Sequence, residues 1–109
     1  MMIKTLRIGG FVFAVKQEKN LTADFGGQTT RYNGIIRYED CEIEIAADRP
    51  EPVKAATLWH EALHGILEQA GIVDQPENII TALGYGVVAL FRDNPAFVRW
   101  TAKVMRNGG

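Results

Sequence analysis

Both histidines of the chain fall in one stretch, "LWHEALHGILEQAGI", residues 58–72. His60 and His64 are four apart, and Glu61 follows the first. On an α-helix, positions i and i+4 lie roughly 40° apart around the axis and about 6 Å apart along it, so two imidazoles there can converge on one ion. Glu61 is turned roughly 100° from His60, close enough to hydrogen-bond a water on that ion without ligating it. The pattern is HExxH, and its chemistry is hydrolytic. Zinc lowers the pKa of its bound water to about 7, and a carboxylate takes the proton as that water attacks a carbonyl. The competing reading is a solvated histidine pair on a surface helix. Chance places two histidines four apart, with a glutamate after the first, in roughly one of 750 arrangements of this composition. That rarity and the helical setting favour a metal pair.

A catalytic zinc takes three protein ligands and a water. No third histidine exists in the chain, so the third ligand must be a carboxylate or come from elsewhere. Glu77 is the first choice, because the short connection around Gly71 lets a following helix fold back on the first. Asp74-x-x-Glu77 also fits a capping box, in which the glutamate reaches back to the N-cap amide. Spacing alone leaves ligand and cap open. Asp74 is the next candidate ligand. Glu68, four residues after His64, reads as a solvated residue near the helix end.

Composition bounds the alternatives. A chain of 109 residues, 47% of them hydrophobic, suits one compact domain over 1–109 with a sizeable core. A net charge of −1 gives no electrostatic footprint for nucleic acid. The single cysteine, Cys41, excludes an intrachain disulfide and a structural zinc site built on several cysteines. The first residues carry no long apolar run followed by a small-residue cleavage site. The apolar run over 87–91 is too short to span a bilayer. These features predict a soluble cytoplasmic protein without a membrane partner.

The elements that must hold the motif follow from periodicity. Residues 3–8 and 11–15 read as strands joined at Gly9-Gly10, a two-residue hairpin signal, with Phe11, Phe13 and Val15 facing one side. Residues 17–31 are polar and read as a loop, or a weak strand near a turn at Gly26-Gly27. Residues 35–38 read as a strand and Glu39-Asp40 as a turn. Cys41, Ile43 and Ile45 then alternate with Glu42 and Glu44, as in a half-buried strand at a sheet edge. Pro50 and Pro52 precede a helix over about 53–70, with Gly71 as its left-handed cap. Trp59, Leu63, Ile66, Leu67 and Ala70 supply its apolar face. Asp74 with Pro76 opens a helix to about Phe91, and Asn94-Pro95 opens a last one to about Met105, leaving Asn107-Gly108-Gly109 frayed. The predicted class is α+β: a small N-terminal antiparallel sheet, then three helices, with HExxH on the first. Trp59 and Trp100 are expected in the core, Trp59 behind the ligands.

"TLWHEALHGILEQAGI", followed after a short gap by "PENIITALGYGVVALFRDNPAFV", resembles the small gluzincin-type zinc peptidases. These minigluzincins are related to ImmA/IrrE-type domains and are common among phage-encoded proteins. The similarity covers roughly residues 32–100, including Asp93-Asn94-Pro95. It implies a zincin-like domain in which His60, His64 and Glu77 hold zinc and Glu61 is the general base and acid. It also implies that the strand over 41–46 lies above the site, where an extended peptide pairs with a sheet edge. The family's larger enzymes stabilise the oxyanion with a further histidine or tyrosine. No histidine remains here; Tyr85 is expected to pack in the core, and Tyr38 is unassigned.

Two functions follow as expectations. One is a zinc-dependent peptidase acting on a peptide or protein substrate through a zinc-bound water activated by Glu61. The other is a zinc-holding domain for regulation or phage-particle assembly with little or no hydrolytic activity. Substrate and oligomeric state have no signature in the chain.

Overall fold

Gly9 turns the chain at φ +60°, a conformation its missing Cβ makes accessible. It joins β1 (Thr5–Ile8) to β2 (Phe11–Glu18), which pair antiparallel with Ile8 opposite Phe11. The computed structural model describes residues 3–108. Phe13 and Val15 point into the core, while Phe11, beside the turn, stays exposed. The polar stretch that follows forms a hairpin of its own, β3 (Thr22–Phe25) with β4 (Gln28–Arg31), turning at Gly26-Gly27. The Tyr32 amide donates to the Leu21 carbonyl at 3.0 Å and closes its base.

β5 (Gly34–Arg37) and β6 (Glu42–Ala46) complete a four-stranded sheet in the order β1-β2-β6-β5. Two expectations are corrected here. The sheet is mixed, because β6 runs parallel to β2; the intervening hairpin and β5 supply the long connection that parallel pairing needs. β6 is also interior, and the edge strand is β5. Ile43 and Ile45 are fully buried. Glu42 and Glu44 reach basic partners on the strands either side, Lys16 at 2.7 Å and Arg37 at 3.0 Å. Alternation reports which face a residue takes, and it is silent on a strand's place in the sheet. Cys41 stands just before β6 at φ +50°, within the turn that Glu39-Asp40 predicted.

α1 (Glu51–Gln69) begins two residues before its expected start, with Pro50 at the N-cap and Pro52 in the first turn, where no amide donor is needed. It ends as expected at Gly71, φ +80°. The Gly71 amide donates to the Glu68 carbonyl at 3.0 Å and the Ile72 amide to Leu67 at 2.9 Å, a Schellman closure. The face of α1 differs from the expected one. Ala62 and Leu58 meet Ile8, Phe13, Ile43 and Ile45 in the core, while Ile66 and Ala70 are exposed. Small residues set this face. A Cβ on Gly65 would lie 3.0 Å from Ile8 Cδ1 and 3.2 Å from Ile36 Cδ1, so glycine lets the helix lie close on the sheet.

α2 (Glu77–Asp93) packs on α1, and α3 (Pro95–Gly108) touches only α2 among the described elements. Pro76 occupies the N-cap of α2 and no side chain caps it, so the expected Asp74 cap and its box with Glu77 do not form. The Asn94 side-chain amide donates back to the Leu90 carbonyl at 3.1 Å, and the Asn94 backbone carbonyl accepts the Val98 amide at 3.2 Å, the first turn of α3. α3 continues through Asn107 to Gly108, past its expected end; Gly109 lies outside the described residues. Trp100, expected in the core, is exposed on α3 and stacks on Phe97. Among the described residues, no helix is long and apolar enough to cross a membrane.

Candidate metal centre

Helical spacing brings the two imidazoles of α1 together, with ring centroids 4.9 Å apart. Gly84 then brings α2 in. A Cβ there would stand 3.5 Å from the Ala56 carbonyl oxygen and the His60 amide nitrogen, so α2 runs close against the backbone of α1 beside the motif. Two turns before Gly84, Glu77 leaves the first turn of α2 and meets both histidines. Its Oε2 lies 3.0 Å from His60 Nε2 and its Oε1 2.7 Å from His64 Nε2. Ligand atoms around a tetrahedral zinc stand about 3.4 Å apart, and the three donors here lie within 4.8 Å of one another. Of the sequence candidates, Glu77 joins the histidines. Asp74 and Glu68 are not part of that cluster.

A residue that carried no sequence signal fixes the electronics of His64. Gln75 donates from Nε2 to the Ile72 carbonyl at 2.6 Å, which orients its amide and presents Oε1 to His64 Nδ1, also at 2.6 Å. With that oxygen as acceptor His64 donates from Nδ1, and in the neutral ring its Nε2 carries the lone pair. That lone pair faces a Glu77 oxygen at 2.7 Å. Two electron-rich atoms so close need a shared cation, either a second ring proton or a metal ion bound by both. The donor set of two imidazoles and one carboxylate fits zinc. His60 is partly buried, and burial pushes its pKa below the usual histidine value, favouring the neutral ring that ligates; the nearby Glu77 carboxylate opposes that shift.

Glu61 lies beside the trio without joining it. Its Oε2 is 3.9 Å from His60 Nε2, beyond hydrogen-bond reach. It is 7% exposed, and burial raises its pKa to about 7 against a backbone hydrogen bond from Ile36 that lowers it. Gly34 makes that contact available. A Cβ at Gly34 would sit 2.5 Å from Thr57 Cγ2 and 3.2 Å from Glu61 Cγ, so only a residue without one lets β5 lie this close to α1.

No protein-family model, curated protein or solved structure matches the chain.

Two hollows of about 210 and 500 Å³ meet at His60, Glu61 and Glu77. The smaller extends past Asn33, Thr81 and Tyr85, the larger along β5 to Ile36 and Tyr38. Tyr32, at the base of the β3–β4 hairpin, borders both. Two further expectations are corrected here. Tyr85 is 62% exposed and lines this cleft instead of packing in the core, because the α1-facing side of α2 is taken by Ile80 and Gly84. The strand over the site is β5, since β6 is interior to the sheet. Burial raises the Tyr38 pKa to about 12, reinforced by the negative charge of Glu68, Glu61 and Glu77, so its phenol stays protonated through neutral pH. Trp59 packs edge-on against Phe91 with centroids 5.0 Å apart, part of the α1–α2 contact and away from the cleft lining.

Gln75 gives a direct test. Gln75→Ala removes the acceptor that sets the His64 tautomer, and zinc affinity is expected to fall on the order of 10- to 100-fold. Competition against a chromogenic chelator measures it; an unchanged affinity would remove Gln75 from the centre.

Proposed function

We propose that the chain is a zinc-dependent peptidase of the minigluzincin kind it resembles. The observation that carries this reading is the meeting of His60 Nε2, His64 Nε2 and the Glu77 carboxylate at a cleft where Glu61 stands unligated beside them. Zinc, when bound, supplies Lewis acidity and a water acidified to a pKa near 7. Glu61 accepts the proton of the attacking water and returns it to the amide nitrogen as the carbon–nitrogen bond breaks. A carboxyl with a pKa raised to about 7 by burial holds and releases a proton near neutrality. β5 pairs with β6 on one side only among the described strands, so its other edge offers backbone groups to an extended peptide. Tyr38 and Tyr85 line the cleft and bring phenols that can donate to the carbonyl oxygen.

The test begins with metal content. The purified protein is expected to carry about one zinc per chain and to cleave an unstructured polypeptide. A chelator should abolish cleavage and added zinc restore it. A protein that refuses zinc altogether would end this reading and the zinc-holding alternative together.

A further inference from the structure

α2 has a second apolar stripe, away from α1. Ile79, Leu83 and Leu90 are each about half exposed, and Gly86 falls between the last two, so the spacing runs four, three, four. On α3, Phe97, Trp100 and Val104 are spaced three and four apart and are equally open. These are the intervals of a helix–helix seam. Among the described residues neither stripe is covered: α3 buries none of its residues, and it touches only α2. Arg99, Lys103 and Arg106 cluster on the opposite side of α3, so no charge interrupts its stripe.

Gly86 narrows what covers this face. On the α1 side, a Cβ added at Gly84 would rest in ordinary van der Waals contact with the Ala56 carbonyl oxygen at 3.5 Å. Gly86 lies on the free side, where an added Cβ would meet nothing within 4 Å, so no packing inside the chain accounts for a glycine there. A mid-helix glycine weakens the helix, and close approach of another helix is what it offers in return. With Met105, these half-open residues expose roughly 700 Å², near the about 800 Å² each partner contributes to a standard interface. A lipid surface fits less well, because the basic residues lie away from the stripe on α3, and on α2 Arg92 falls on the side opposite the stripe and is paired with Asp93 at 2.9 Å.

We infer that a second copy of this chain covers the face. α3 of each copy lies along the stripe from Ile79 to Leu90 of the other, with Gly86 at the closest approach, forming a two-fold dimer. Glu77, Thr81 and Tyr85 lie on a different side of α2, so the dimer leaves the cleft open.

Sedimentation equilibrium on the full chain decides it. The expected species is about 24 kDa, twice the 12.1 kDa of one chain. Gly86→Leu fills the gap while improving the helix, so it is expected to keep the helical circular dichroism and raise the dimer dissociation constant at least about tenfold. Trp100→Glu should do the same from α3, and Lys103→Gln should leave assembly unchanged. A wild-type chain at 12.1 kDa up to high micromolar concentration overturns the inference. So does any other stoichiometry, or a Gly86→Leu variant that dimerises like wild type. A monomer that binds phosphatidylserine vesicles overturns it too, and assigns the face to lipid.

Discussion

Glu77→Ala is expected to strip zinc from the protein while leaving it folded. Losing an outer partner of a ligand costs on the order of 10- to 100-fold in affinity, and losing one of three direct ligands should exceed that. The effect on stability should be small. Glu77 is 71% exposed and makes no capping bond. What the fold loses is a carboxylate favourably placed in the first turn of α2, about 0.3–1 kcal/mol, and a solvent-screened contact with the histidines. The capping reading makes the opposite prediction: intact zinc affinity and a helix weakened by about 1 kcal/mol. His60→Ala and His64→Ala should also lose zinc. Chelator competition with a thermal melt on the same samples separates the outcomes. Unchanged zinc affinity in Glu77→Ala would sink its role as ligand.

The centre was legible where local rules govern it. The i, i+4 histidines, the proline start and the Gly71 stop of α1 are short-range signals, and the structure keeps them within two residues. The α+β class and three helices follow from the same kind of pattern. Sheet order is a different matter. The Cys41–Ile45 alternation identified the buried isoleucines, yet the same pattern fits an edge or an interior strand, so the parallel pairing with β2 had no local signature. The face of α1 differs from the expected one because its contact is made by small residues, which a pattern of large apolar ones does not mark. Ala62 and Gly65 occupy the contact with the sheet, where closeness counts for more than side-chain bulk. Residue type alone places Tyr85 and Trp100 in the core, but α2 and α3 have more apolar residues than contact surfaces among the described elements. Gln75 could not be found at all. An amide in a proline-bearing turn looks like any loop residue until His64 is seen beside it. The choice between cap and ligand for Glu77 depends on how α1 and α2 pack, a long-range fact with no local signature.

Glu61→Gln should separate metal binding from catalysis. The substitution keeps the shape of the side chain and an oxygen to accept the Ile36 amide, but removes the group that takes a proton. Hydrolysis is expected to fall on the order of 10²- to 10⁴-fold, the usual contribution of a positioned general base. Zinc affinity should hold, because Glu61 is outside the cluster of three donors and 3.9 Å from His60 Nε2. Stability should hold or rise. Burial disfavours the charged carboxylate at this 7% exposed position, and a neutral amide avoids that cost. Loss of zinc together with activity would make Glu61 part of the metal site and remove the basis for calling it the base. Full activity in Glu61→Gln would deny it any proton-transfer role. A wild-type protein that binds zinc through His60, His64 and Glu77 yet leaves unstructured polypeptides intact would favour the zinc-holding domain, since both readings need the same ligands and only hydrolysis needs Glu61.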